Sequence, residues 1–455
     1  MASGLSIPSL SGGPVSRRPL LRTALPGPIA RELIQRSDAS VSPSYTRDHP
    51  LVAERASGLW ITDPDGNEFL DFSAGIAVTS TGHCHPKVVA AIVEQSSKLL
   101  HMSGTDFYYP VQGRLAQRLV AMQPVRGEKC RVYFGNSGTE ANEAAMKLAR
   151  WATGRSQFIA FIDSFHGRTM GALSLTASKV RQREGFGTLL PVTHSVYPDP
   201  YRMGARATDI AMDHFAILFR TIVDPKSVAA IFVEPVQGEG GYIVPPSDFL
   251  PRLRALCDEH GILLVFDEVQ AGMGRTGKMF AWEHTGVKPD ILTLAKGIAS
   301  GLPLSATLAS EDVMNWKPGA HASTFGGNPV ACAAAHATLD LLESELVAQS
   351  ASVGSFLIAL LRERLGAHPN VGDIRGLGLM IGIELVTDRS TKERAIELRN
   401  NLVMDAFHRH GLVILGCGQN SIRLCPGLVC TEDEARVCVD IIVDSLAHLT
   451  GVAHA

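Results

Sequence analysis

Only 6% of the 455 residues are aromatic, and neither charge sign dominates: 42 basic side chains face 45 acidic ones, a formal net charge of −3. That excludes a basic nucleic-acid-binding chain and a charge-rich disordered one. Eight cysteines are scattered without a C-x-x-C pair, so neither a disulfide framework nor a zinc knuckle is indicated, and free thiols in the cytoplasm are expected. His83-Cys84-His85 is the nearest approach to a metal cluster. Adjacent side chains on an extended segment point opposite ways, and no second ligand group stands at a zinc-like interval. No apolar run approaches the ~18 residues of a membrane span, so neither membrane nor nucleic acid is an expected partner. Residues 1–24 are rich in Ser, Pro and Gly, carry Arg17, Arg18 and Arg22, and contain no acid. That composition overlaps with transit peptides, but the plainer expectation is a flexible extension.

What is present is α/β order. Short β-like runs at Arg131–Phe134, Gln157–Ile162, Val228–Val233, Ile262–Phe266 and Ile291–Leu294 alternate with helix-patterned segments. Gly261-Ile-Leu-Leu-Val-Phe266 shows no polar alternation, which suits a parallel strand covered on both faces. From about Leu339 the pattern changes to a long helix, strand character over Asp373–Leu385, a helix near Lys392–His410, short strands at Leu412–Leu415 and Ser421–Leu424, and a last helix from Thr431. The expected division is an extension over 1–24, a segment 25–90 contributing to a small domain, a large domain over 91–338 and a small α+β domain over 339–455. An Asp65-Gly66 turn between apolar runs marks a hairpin within Gly58–Phe72 that joins the small domain.

The chemistry centres on Lys296, an ammonium between apolar runs just past an expected buried strand. Loss of solvation there favours the neutral, nucleophilic amine, whereas a lysine that snorkels to the surface is the structural alternative. Asp267 closes another apolar strand, at the sheet edge where α/β folds bind ligands. A buried carboxylate needs a partner, and both Lys296 and the ring nitrogen of a bound pyridinium qualify. Gly135-Asn-Ser-Gly-Thr-Glu-Ala-Asn142 follows a strand and opens a helix. Ser137 and Glu140 read as a capping box, while Gly138 and Thr139 offer N–H groups and a hydroxyl to a phosphate. Phe165, after the second strand, is placed to cover a planar ring or to fill the core. Gly272-Met-Gly-Arg-Thr-Gly277 satisfies G-x-G-x-x-G but is separated from its strand and opens no clear helix, which excludes a dinucleotide fold.

Asn136–Asn142, Phe165–Thr169, Glu234-Pro-Val-Gln-Gly-Glu-Gly-Gly241, Asp267–Gln270, Leu294–Gly297 and Ser323-Thr-Phe-Gly-Gly-Asn-Pro329 together resemble the class III pyridoxal-phosphate aminotransferases. The resemblance runs from about Pro26 to the last helix and is strongest to γ-aminobutyrate transaminases and archaeal amino-acid racemases. It implies an α/β, fold-type-I homodimer with pyridoxal 5'-phosphate at the subunit interface and a small amino acid and 2-oxo acid as substrates. It further implies that Lys296 holds the cofactor as a Schiff base and moves protons, and that Asp267 pairs with the ring nitrogen. Gln270 would bond the ring oxygen and Phe165 stack on the ring. Ser137, Gly138 and Thr139 would seat the phosphate with Thr324 of the neighbouring subunit. On the substrate side it implies Arg423 for an α-carboxylate, Glu239 as its counter-charge, Arg168 for a distal carboxylate and Ile76 on the pocket wall. The implied reaction is ping-pong transfer from an ω-amino acid such as γ-aminobutyrate to 2-oxoglutarate. The alternatives are a racemase, which Gly104–Phe107 and Gly416–Ile422 resemble, and an acetylornithine or ornithine aminotransferase. A non-catalytic relic is disfavoured because Lys296 and Asp267 are both present.

Overall fold

The unbroken apolar runs become interior strands of a seven-stranded sheet in the computed structural model, which describes residues 17–452. In chain order these strands are Cys130–Gly135 (β1), Gln157–Phe161 (β2), Val192–Ser195 (β3), Val228–Val233 (β4), Leu263–Asp267 (β5), Ile291–Leu294 (β6) and Ser305–Ser310 (β7). They lie side by side as β1-β7-β6-β5-β4-β2-β3, and β7 runs antiparallel to both its neighbours. Every residue of β4 and β6 is buried, as strands covered on both faces require. β3 and β7 are not among the expected strands. β7 is Ser-Ala-Thr-Leu-Ala-Ser, too poor in bulky side chains to announce itself. That smallness accompanies a close approach by the helix Gly138–Thr153, where the Thr307 hydroxyl donates to the Ala141 carbonyl at 3.0 Å.

The expected hairpin consists of Trp60–Thr62 and Glu68–Asp71, and Leu70 and Asp71 pair in parallel with Leu412 and Val413. A third sheet holds Val371–Leu377, Met380–Asp388, Leu415–Cys417 and Ser421–Leu424. The single stretch expected over Asp373–Leu385 is thus two antiparallel strands, turning at Gly378 with φ +53°.

Three expectations need correction. Residues 17–24 are not a flexible extension: Leu20 and Glu68 exchange backbone hydrogen bonds of 3.0 and 2.9 Å, and the N–H groups of Arg22 and Thr23 donate to Asn67 Oδ1. The edge of Glu68 and the buried Asn67 amide need partners, and this segment supplies them. Residues 1–16 lie outside the described residues. The boundaries at 90/91 and 338/339 fall inside the helices Pro86–Lys98 and Pro329–Leu341 rather than in linkers. The latter helix continues through a wider turn at Leu342–Leu346 into Val347–Leu365. Spanning 37 residues, it is long and apolar enough by length and composition to cross a membrane. Here Ala331, Ala334, Ala335, Leu339, Leu357 and Leu361 bury its apolar side in the core.

Candidate active site

Strands β5 and β6 are adjacent and parallel, so the groups that follow them open on one crevice at the carboxyl edge of the sheet. The cleft there has a volume of about 440 Å³ and is lined by Lys296, Asp267, Phe165, Gln270, Thr139 and Glu234 among others. Lys296 adopts φ +45°, a strained conformation for a side-chain-bearing residue. Burial pushes its amine below the ordinary value; Arg423 adds to the effect, and Asp267, Glu234 and Glu239 oppose it. Among the described residues no carboxylate lies within ion-pair distance of its Nζ.

Asp267 does not take Lys296 as its partner. Its Oδ2 accepts from Asn142 Nδ2 and His166 Nδ1, each at 2.7 Å, and its Oδ1 accepts from the Val269 N–H at 3.0 Å. All three side chains are buried. Burial opposes a charge on His166, but Asp267 and Glu234 outweigh it and raise the imidazole above its ordinary value. Asp267 is therefore braced by an imidazole and an amide.

Ser137 caps the helix Gly138–Thr153, accepting from the Glu140 N–H at 3.4 Å. The expected capping box is only half made: Glu140 reaches past Ser137 to the Asn136 N–H at 2.6 Å and the Asn136 amide at 2.8 Å. The N–H groups of Gly138 and Thr139 open the helix and have no intrahelical acceptor. A Cβ on Gly138 would come within 2.7 Å of Val269, so only glycine fits beside the cleft wall. The Thr139 hydroxyl pairs with that of Thr169 at 2.7 Å.

Phe165 lines the cleft, with the exposed Arg168 guanidinium 5.5 Å from its ring centre. Gln270 is held from behind by Tyr242, whose hydroxyl donates to Gln270 Oε1 at 2.6 Å. Among the described residues nothing accepts from its amide N–H₂, which is the end left for a ligand. Tyr242 is fully buried and adopts φ +54°; Arg375 pins this strained turn by donating to the carbonyls of Gly241 and Tyr242.

Beside the cleft, Arg423 Nη1 stands 3.1 Å from Glu239 Oε1. Burial alone would raise the Glu239 carboxyl, but Arg423, Lys179 and Lys296 outweigh it and hold the group ionised. Ile76 is exposed and sits in a left-handed turn, Ala74–Ala77, in which all four residues have positive φ. Asp71 clamps the start of that turn by accepting from Ser73 and Ala74, while His83 Nε2 meets its other oxygen at 2.8 Å. Thr324 is exposed on the loop before Pro329 and does not line the cleft of its own chain.

Residues 41–446 match the family model of the class-III aminotransferases. The chain belongs to that family. It is 42% identical to the 5-aminovalerate aminotransferase of Pseudomonas aeruginosa, over 85% of this chain and 90% of the relative. It is 39% identical to the alanine/serine racemase of Pyrococcus horikoshii, over 92% and 90%. Its backbone matches the crystal structure of an amine transaminase from an uncultivated Pseudomonas species, in a PLP-bound form, with a TM-score of 0.82, 35% identity, and 90% and 98% coverage. The architecture is the fold-type-I α/β arrangement of PLP-dependent aminotransferases.

Several working residues of this class-III aminotransferase are not evident from sequence. Asn142 and His166 lie inside the motifs, but their partner Asp267 is far away in the chain. Glu234 accepts from the N–H groups of Phe165 and Gly238, and burial lifts its carboxyl to about 7. Glu268 is fully buried, with only the Ala281 and Trp282 N–H groups as donors among the described residues, and burial lifts it to about 8. A carboxyl with a folded value above its ordinary 4.5 destabilises the fold progressively as pH rises between those two values. Relative to the unsubstituted protein, Glu268→Gln should therefore gain stability from pH 4.5 to about 8, with a slope of at most about 1.4 kcal/mol per pH unit, and no more above that. Denaturant titrations of both proteins across pH read the slope directly.

Proposed function

We propose that the chain is a pyridoxal-phosphate-dependent transaminase that takes the amino group of an ω-amino acid of the γ-aminobutyrate type and passes it to 2-oxoglutarate in two successive half-reactions. It works as a cytoplasmic homodimer with the cleft at the subunit interface. The observation that carries the reading is Lys296, a cleft amine held below its ordinary value beside Asp267, with the Arg423–Glu239 pair adjoining. The activity of the 5-aminovalerate relative supports an ω-amino donor.

The residues present fit the cofactor. Among the described residues Asp267 Oδ1 has the Val269 N–H as its one donor, which leaves acceptor capacity on a buried carboxyl group for a ring N–H. The opening of the helix Gly138–Thr153 suits the phosphate, with the Thr139 hydroxyl at hand, and Thr324 of the partner subunit would complete the seat. Phe165 would cover the ring, and Gln270 would offer it the amide N–H₂ that Tyr242 leaves available. When bound, pyridoxal phosphate supplies an aldehyde for the amine and a ring that absorbs the electron pair left by a departing proton.

Lys296 Nζ would take up and return the proton at the substrate carbon, a task suited to an amine that burial pushes below its ordinary value. Asp267 would hold a proton at the ring nitrogen, and His166 and Asn142 keep its carboxyl group in place for that task. Arg423 offers a planar fork to the α-carboxylate of the 2-oxo acid, and Arg168 receives the distal carboxylate. With an ω-amino donor bound there is no carboxylate at the reacting carbon, and Glu239 then keeps Arg423 paired.

The test is to add γ-aminobutyrate to the cofactor-loaded protein without any 2-oxo acid. Loss of the visible band, restored by 2-oxoglutarate, is expected; a band that no ω-amino acid changes sinks the reading. A second reading, amino-acid racemisation, is supported by the alanine/serine racemase relative and by Glu239, which lies near enough to Lys296 to influence its charge and could return a proton from another direction. Loss of optical rotation from pure L-alanine with the visible band intact would favour it. The role of Tyr242 is testable in either case. Tyr242→Phe removes one buried hydrogen bond behind Gln270 and should weaken cofactor binding roughly 5-fold, with a shift of the visible band. Titration of the cofactor-free protein measures both.

A further inference from the structure

We infer that Lys179 is the second cation of Glu239 and governs which substrates the pocket accepts, taking over that carboxylate when Arg423 turns to a substrate's α-carboxylate. This deepens the transaminase reading and rests on it.

The geometry gives Glu239 two cations on two different oxygens. Oε1 faces Arg423 Nη1 at 3.1 Å, and Oε2 lies 3.5 Å from Lys179 Nζ. Oε2 is buried and accepts no hydrogen bond from the protein, so the lysine stands just short of a contact it is able to complete. Arg423 is 5% exposed, and its release would strand a mostly buried carboxylate. An uncompensated charge in that position is strongly unfavourable, and its cost would be subtracted from the affinity for any substrate that recruits Arg423.

Lys179 is built to absorb that change. Its ammonium is a compact charge on a flexible stem, about one-third exposed, at the edge of a separate cavity of about 640 Å³. Three of the other cations around that cavity, Arg375, Arg202 and Arg399, are committed elsewhere. Arg375 serves Glu384, Asp373 and the carbonyls of Gly241 and Tyr242, and Arg202 serves Glu384. Arg399 donates to the Gln419 carbonyl. Asp163 and Asp199 share the cavity as rival partners for Lys179, but among the described residues its one ion pair is with Glu239. Of the other cations that act on Glu239, Lys296 is the cofactor's own lysine in the proposed reaction and Arg399 is held by the Gln419 carbonyl. The switch therefore has a resting state in which Glu239 is shared, and a substrate-bound state in which Lys179 holds it alone.

The test uses glutarate, a dicarboxylate with the carbon skeleton of 2-oxoglutarate and no keto group, binding to the cofactor-loaded enzyme by calorimetry. Lys179→Met should weaken glutarate by about tenfold and weaken saturation by the keto-acid acceptor, read as its Michaelis constant, by a similar factor, with a smaller change for γ-aminobutyrate. Lys179→Arg, which keeps the charge, should restore most of both. Lys179→Gln serves for the same comparison should the methionine variant fold poorly. Unchanged glutarate binding in the neutral variants overturns the inference, as does equal weakening of both substrates. An unsubstituted enzyme that converts no ω-amino acid and binds no glutarate instead overturns the transaminase reading, and the Lys179 role with it.

Discussion

Replacing Lys296 with alanine is expected to lower transamination by about 10⁴-fold while the protein still folds and still binds pyridoxal phosphate. The loss follows because, among the described residues, Lys296 carries the one lysine amine lining this cleft. Folding should survive because no carboxylate stands within ion-pair distance of the Lys296 Nζ among the described residues, so truncation strands no buried countercharge. Borohydride reduction of the unsubstituted holoenzyme should place the cofactor on the peptide containing Lys296, and the alanine variant should show no such adduct. A small primary amine added to Lys296→Ala should restore part of the rate. An adduct on another lysine, or a variant with ordinary turnover, would remove the foundation of the functional reading.

The second large effect is at Asp267. Asp267→Ala should cost both rate and stability, for two separable reasons. The ring nitrogen loses its counter-charge, which should lower the rate by about 10²-fold or more. His166 and Asn142 also lose their shared acceptor in a site where all three groups are buried, and truncating one member of such a pair typically costs about 3–5 kcal/mol. Denaturant unfolding of the cofactor-free protein isolates the second term. Stability equal to that of the unsubstituted protein would show that His166 and Asn142 are not held by Asp267. His166→Gln should reproduce much of the rate loss, because its effect runs through the Asp267 carboxylate that it holds.

How legible the protein is from sequence differs from residue to residue. Asp267 and Lys296 each follow an apolar strand, and a strand's end is a local pattern. Gly138 and Thr139 are legible because a strand, a cap and an apolar helix face occur in one short stretch. The capping box differs at one point: Glu140 caps Asn136 instead of Ser137, a choice between adjacent N–H groups that spacing does not resolve. β7 is invisible in the sequence because its small side chains lack the bulk that marks a strand, although packing against the helix Gly138–Thr153 favours that smallness. Residues 17–24 look unstructured in sequence because their partners, Asn67 and Glu68, stand on a hairpin distant in the chain.

By itself the sequence determined the α/β order, the apolar inner strands, the helix start that suits a phosphate, and the lysine and aspartate at neighbouring strand ends. Each depends on residues close together in the chain, where periodicity, capping and turn chemistry act locally. Tertiary structure alone decided that Asp267 pairs with His166 and Asn142 rather than Lys296, that Tyr242 orients Gln270, and that Glu239 lies between Arg423 and Lys179. Those contacts join strands, loops and turns far apart in sequence. Which partner a buried charge or amide finds depends on how sheets and helices pack, and no local pattern encodes that.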